Sequence, residues 1–372
     1  MKTCGYCGRE NEEALIRCSE CGTEFSDSKT EASDDYHEPP IGTSEIKLDE
    51  LPGAYNFNEG FSRPDWKVIS KAIEGLASTE GRRLAWDDVI LQWAKKLAGE
   101  LGGNYRISKS GKCVLVSSLD TAPANRLLRS TRSAIDKIQE SLRGIAWKNF
   151  EGLHLIVLLD EEDDYYQYLS EFYPEGEHPA TTGVHIHRGF PHIACLFHGE
   201  TSAAQVISHE LVHHSIHHLR VPRWLHEGLA MTIERMMNSQ RVQMLSDDLP
   251  ERHHRFWNEK TIQGFWAGTS FGEPGEPVQL SYSLAEVLLH LLARNREDFL
   301  AFVETVDYYD AGQTAALDCL GTCLGEAAGT FLGPGNWRPQ RKAIKECWEA
   351  WRKQAEHLSD KNKTEAFLLR KD

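Results

Sequence analysis

The run His209-Glu210-Leu211-Val212-His213 sets two histidines four residues apart with a carboxylate beside the first. On an α-helix, positions four apart lie within about 40° of each other, so both imidazoles face one point. Position 210, about 100° round the helix, stands beside that point. A second acid follows in Trp224-Leu225-His226-Glu227-Gly228-Leu229-Ala230. A catalytic zinc takes three protein ligands and keeps one position open for water. His209, His213 and Glu227 are therefore the expected ligands of a catalytic Zn2+, with Glu210 as the general base beside it.

Two helices must position these groups. The motif lies in an apolar-periodic run from Ala203 to Ile216, which fits a helix with one buried face. Pro222 interrupts the chain, and a second amphipathic segment, Trp224 to about Met237, carries Glu227. The metzincin pattern is excluded, because Ile216 and Leu219 stand where it needs a glycine and a third histidine.

Together, His209-Glu210-Leu211-Val212-His213 and Pro222-Arg223-Trp224-Leu225-His226-Glu227-Gly228-Leu229-Ala230 resemble the gluzincin metallopeptidases, and among them the bacterial peptidase-MA-like group. The likeness continues in pattern from about Lys112 to about Trp351. It implies an α+β, zincin-like metallopeptidase domain, with a small mixed sheet, a motif helix and a C-terminal helical part. It implies a peptide or protein substrate, zinc on His209, His213 and Glu227, and Glu210 as base. It also implies that Tyr282, in Ser281-Tyr282-Ser283, supports the oxyanion, with His226 a lesser candidate for that role. Substrate would add as a strand to 192–197 or to 183–187. In many gluzincins an acid four positions after the third ligand orients a ligand histidine. Here that position is Met231, and Glu234, nearly two turns beyond Glu227, has no role assigned from the sequence. His214, His217 and His218 are expected on the polar side of the motif helix or at the cleft rim. His185, His187, His192 and His198 are expected on ordinary half-exposed strands.

A second metal is expected at the N-terminus. Cys4-x-x-Cys7 and Cys18-x-x-Cys21 have the spacing of a zinc ribbon, in which four thiolates hold a structural Zn2+. The glycines that follow each pair allow the tight turn beneath the ion. Residues 1–25 carry three basic and five acidic side chains, so a protein partner suits this module better than nucleic acid. The net charge of −15 points the same way, since phosphate contacts need clustered Lys and Arg. Cys113, Cys195, Cys319, Cys323 and Cys347 lie in apolar patterns and read as core residues.

The expected organisation is a ribbon at 1–25, an acidic flexible linker at 26–50, a metallopeptidase domain at 51–356 and a charged tail at 357–372. The linker assignment rests on eight acidic against two basic residues and little apolar periodicity. The start has no apolar signal-peptide segment, and Leu153–Leu159, the longest apolar stretch, is far too short to span a bilayer. A cytoplasmic protein without membrane contact is the expectation. Helices are expected over 84–101, 123–142, 165–172, 282–293, 298–305, 315–324 and 343–354, and strands over 112–118, 153–159, 183–187 and 192–197. The alternative to an enzyme is an interaction protein whose domain keeps zinc but cleaves little, the ribbon recruiting a partner.

Overall fold

The segments Cys113–Ser117 and His154–Leu159 are buried at every position, as central strands covered on both faces require. A computed structural model describes residues 45–57, 60–147, 152–173, 181–237 and 248–350, with 2–3, 10–12 and 353 besides. Cys4, Cys7, Cys18 and Cys21, most of the expected linker, Trp351 and the expected tail lie outside the described residues. Of the N-terminal module, the strands β1 (Lys2–Thr3) and β2 (Glu10–Asn11) form an antiparallel pair.

The fold is mixed α+β. A second short antiparallel pair, β3 (Tyr55–Phe57) and β4 (Ser62–Pro64), leads into α1 (Trp66–Glu74) and the long α2 (Thr79–Leu101). Then come β5 (Arg106–Ser110), β6 (Cys113–Ser117), α3 (Thr121–Ser141), β7 (His154–Leu159), α4 (Glu162–Phe172), β8 (Gly183–Ile186) and β9 (His192–Leu196). These five strands make one sheet in the order β5-β6-β7-β9-β8, parallel at its centre and antiparallel at both edges. The period-2 alternation of side chains then builds a core on each face. Leu115, Ile156, Leu158, Ile193 and Cys195 point to one side, and Val114, Val116, Leu155, Val157, Ala194 and Leu196 to the other.

The first side receives α3 and the two helices of interest, α5 (Glu200–Ile216) and α6 (Arg223–Met237). It continues into α7 (Leu249–Phe256), α8 (Thr261–Ala267), α9 (Glu276–Leu292), α10 (Arg296–Thr305), α11 (Gln313–Leu320) and α12 (Leu324–Leu332). The second side is covered by α1, α2 and α4.

Several expectations change. Residues 45–50, read as linker, are folded onto the domain: Ile46 and Leu48 are buried, and the Leu48 amide donates to Gln92 Oε1 at 2.8 Å. The helix expected over 315–324 ends at Leu320, because Gly321 turns left-handed (φ 62°) and the chain restarts as α12. Strand β5 has no apolar signal in the sequence, because Arg106-Ile107-Ser108-Lys109-Ser110 is mostly polar. Strand β9 lies inside the sheet, paired on both sides, so its backbone has no free edge for an added strand; β8 is the edge. His185 and His192 are buried rather than half-exposed, and His192 has its Nδ1 at 2.7 Å from the Phe190 carbonyl and its Nε2 at 2.8 Å from the Tyr168 hydroxyl. Among the described residues, no helix is long and apolar enough to cross a membrane.

Candidate metal centre

Helix α5 begins where Gly199 takes φ 103°, and Glu200 in its first turn pairs with Arg126 of α3 at 2.7 Å. Ile207, Leu211, Val212 and Ile216 anchor it in the core. After Pro222, helix α6 is fixed by Trp224, fully buried, whose indole N–H donates to the Ala311 carbonyl at 3.0 Å. Helix α9 then lies against α6 at Gly228, where an added Cβ would stand 2.9 Å from the Ala285 carbonyl oxygen. That close approach sets Tyr282, one turn before Ala285, near the ligand helix.

The two helices bring the expected ligands together. His213 Nε2 stands 3.3 Å and His209 Nε2 3.5 Å from Glu227 Oε2. A tetrahedral ion with bonds of about 2.0–2.2 Å separates neighbouring ligand atoms by about 3.3–3.6 Å, so these separations fit one ion without rebuilding. Glu227 is buried, and its Oε2 lies between the two imidazoles without the alignment of a hydrogen bond to either. The other oxygen, Oε1, accepts from Arg223 Nε at 3.3 Å, so the guanidinium turns the free oxygen toward the histidines. His209, Glu210 and His213 present ligand atoms within 4.8 Å of one another, a group able to hold a metal ion.

Electrostatics agree with an anionic pocket built for a cation. Burial works against a charged His209, but the Glu227, Glu234 and Glu210 carboxylates outweigh it and raise its pKa to about 10. Burial pushes the Glu227 carboxyl up, yet His213 and His209 hold it well below the usual carboxylate range. An ion would meet that attraction in place of the imidazole proton.

The remaining residues fall as follows. Glu210 is buried beside the ligands, and its Oε2 accepts the His185 main-chain N–H of edge strand β8 at 2.7 Å. Tyr282 packs edge-on to Phe271, with ring centroids 5.3 Å apart. Burial, then the Glu227 charge, raises its pKa, while Arg223 acts in the opposite sense. His226 tilts over His213 at 4.2 Å between centroids. His214 is buried between Trp147, His154 and His185 instead of facing the rim, whereas His217 and His218 are exposed as expected.

Two residues that the sequence reading left without a role join the site. Glu234 Oε2 lies 3.2 Å from His209 Nδ1, so the carboxylate missing at Met231 is supplied seven residues after Glu227. Seven residues make about two turns, which returns to the face of Glu227 within about 20°. Arg223, four residues before Glu227, shares that face by the same rule. Helical spacing alone carried both signals. The contact between Glu210 and His185 joins a helix to a strand, and no local pattern announces it.

No family model and no curated protein matches this chain.

Proposed function

We propose that this chain is a zinc-dependent metallopeptidase of the gluzincin type, hydrolysing peptide bonds with Glu210 as general base. The convergence of His209 Nε2, His213 Nε2 and Glu227 Oε2 at 3.3–3.5 Å, with the Glu210 carboxylate beside them, carries this reading. Zinc held there supplies Lewis acidity, which makes water acidic near neutral pH and polarises a carbonyl. Glu210 takes the proton of the attacking water and passes it to the leaving amine. Tyr282, kept protonated by burial and the nearby carboxylates, donates to the developing oxyanion. Arg223 holds Glu227 in its rotamer, and Glu234 holds His209 with Nε2 turned inward. The outer edge of β8, apart from the His185 N–H that Glu210 holds, accepts the substrate backbone as an added strand.

Cys4, Cys7, Cys18 and Cys21 hold a second, structural zinc in this reading, and the ribbon they form receives a protein partner. The protein is read as cytoplasmic, because its N-terminal cysteines are spent on metal rather than on disulfides.

Metal removal tests the proposal. Cleavage of unstructured peptides should stop after chelation and return when zinc is restored. Cleavage that persists in fully metal-free protein rules it out.

A further inference from the structure

On the face of α5 turned to β8, positions 210, 214 and 217 form one stripe at helical spacing. One oxygen of Glu210, Oε2, accepts the His185 main-chain N–H. The next two members of the stripe meet the side chain of the same residue. His214 Nδ1 stands 3.2 Å from His185 Nε2, and the ring centroids are 5.0 Å apart. His217 completes the group: its ligand atom and those of His185 and His214 all lie within 4.8 Å of one another. Its own Nδ1 is tied to the His214 carbonyl at 2.7 Å, which fixes the ring and leaves Nε2 as the coordinating atom. The rings of His214 and His217 are stacked, with 4° between their planes.

We propose that His185, His214 and His217 form a second metal site on the chain's own domain, taking an imidazole-preferring divalent cation such as Zn2+. Three imidazoles with no carboxylate suit zinc, nickel or copper and not the oxygen-seeking Mg2+ or Ca2+. His185 Nε2 and His214 Nδ1 are hydrogen-bonded at 3.2 Å, close to the edge of a tetrahedron around such an ion, which would take the place of the shared proton. His185 and His214 are buried and His217 is exposed, so an ion would reach the group from the His217 side. The bound ion ties edge strand β8 to helix α5 at His185, the residue whose N–H holds Glu210. The two centres therefore share a helix and a strand but no ligand.

The test is a metal count on the full-length chain, dialysed against zinc at a fixed free concentration. His217→Ala removes an exposed side chain, so folding should survive, and it should hold one zinc per chain fewer than wild type. His185→Gln should lose the same ion, and His218→Ala, beside the site but outside it, should match wild type. The ribbon and the Glu227 centre are intact in every variant, so their ions cancel in the difference. Equal zinc in wild type, His217→Ala and His185→Gln would overturn the second site, whatever the result for peptide hydrolysis.

Discussion

Replacing Glu234 tests how the first centre is oriented. Its Oε2 sits 3.2 Å from His209 Nδ1, and its side chain is 30% exposed. A proton held on Nδ1 by this contact leaves Nε2, which faces Glu227, as the atom that would bind the ion. Losing such an outer partner weakens metal binding by about 10–100-fold, or about 1.4–2.7 kcal/mol. Water can reach this partly exposed carboxylate, so Glu234→Ala should fall in the lower half of that range, about 10–30-fold. Glu234→Gln keeps an acceptor oxygen but removes the charge. Charge-assisted bonds are about twice as strong as neutral ones, so about half the free energy, about 3–5-fold, should be lost. Competition with a chromophoric chelator at fixed neutral pH reads both values against wild type. Affinities within twofold of wild type for both variants would refute the orienting role, as would a Gln variant weaker than Ala.

Three further outcomes are expected. Gly228→Ala pushes a Cβ to 2.9 Å from the Ala285 carbonyl oxygen, so overpacking of about 1–3 kcal/mol should exceed the helix-propensity gain of about 1 kcal/mol. Urea unfolding should show a net loss of up to about 2 kcal/mol, and a stabilised variant would contradict the close approach of α6 and α9. Burial holds the pKa of both His154 and His192 down to about 4, while the unfolded chain takes up their protons near 6.5. Both are neutral in either state above pH about 6.5 and leave stability unchanged there, and as pH falls toward 4 they lower it by up to about 1.4 kcal/mol per pH unit for each histidine. Unfolding free energies that stay flat between pH 6.5 and 5 would show that these two groups are not held neutral. Glu227→Ala should lose one ion per chain relative to wild type, and an unchanged count would remove Glu227 from the ligand set.

The chemistry was more legible than the architecture around it. The spacing of His209 and His213 puts both on one face through helical periodicity alone, and the packing of the two helices brings Glu227 beside them. Strands β6 and β7 were readable because unbroken apolar runs have no other place than a sheet interior. Strand β5 was not, since edge strands need only half their residues apolar. His214 departs from its expected place for a related reason. Its face of α5 reads as polar, yet β8 and Trp147 cover it with other ring systems. Glu234 was visible at the right face of α6 but needed the fold to supply its partner. The burial of Ile46 and Leu48 was hidden by the charges around them, because only two apolar residues in that segment dock.

The most direct measurement is to incubate wild type and Glu210→Gln, matched for bound zinc, with a proteome-derived peptide library and read new termini by mass spectrometry. Glu210→Gln keeps His209, His213 and Glu227, so both proteins should carry the same ions. New termini with wild type alone are the expected result, and the residues flanking them would define the cleavage preference. Equal cleavage by both proteins would remove Glu210 as the base, and silence from both with zinc bound would contradict the peptidase reading in favour of a metal-holding interaction domain.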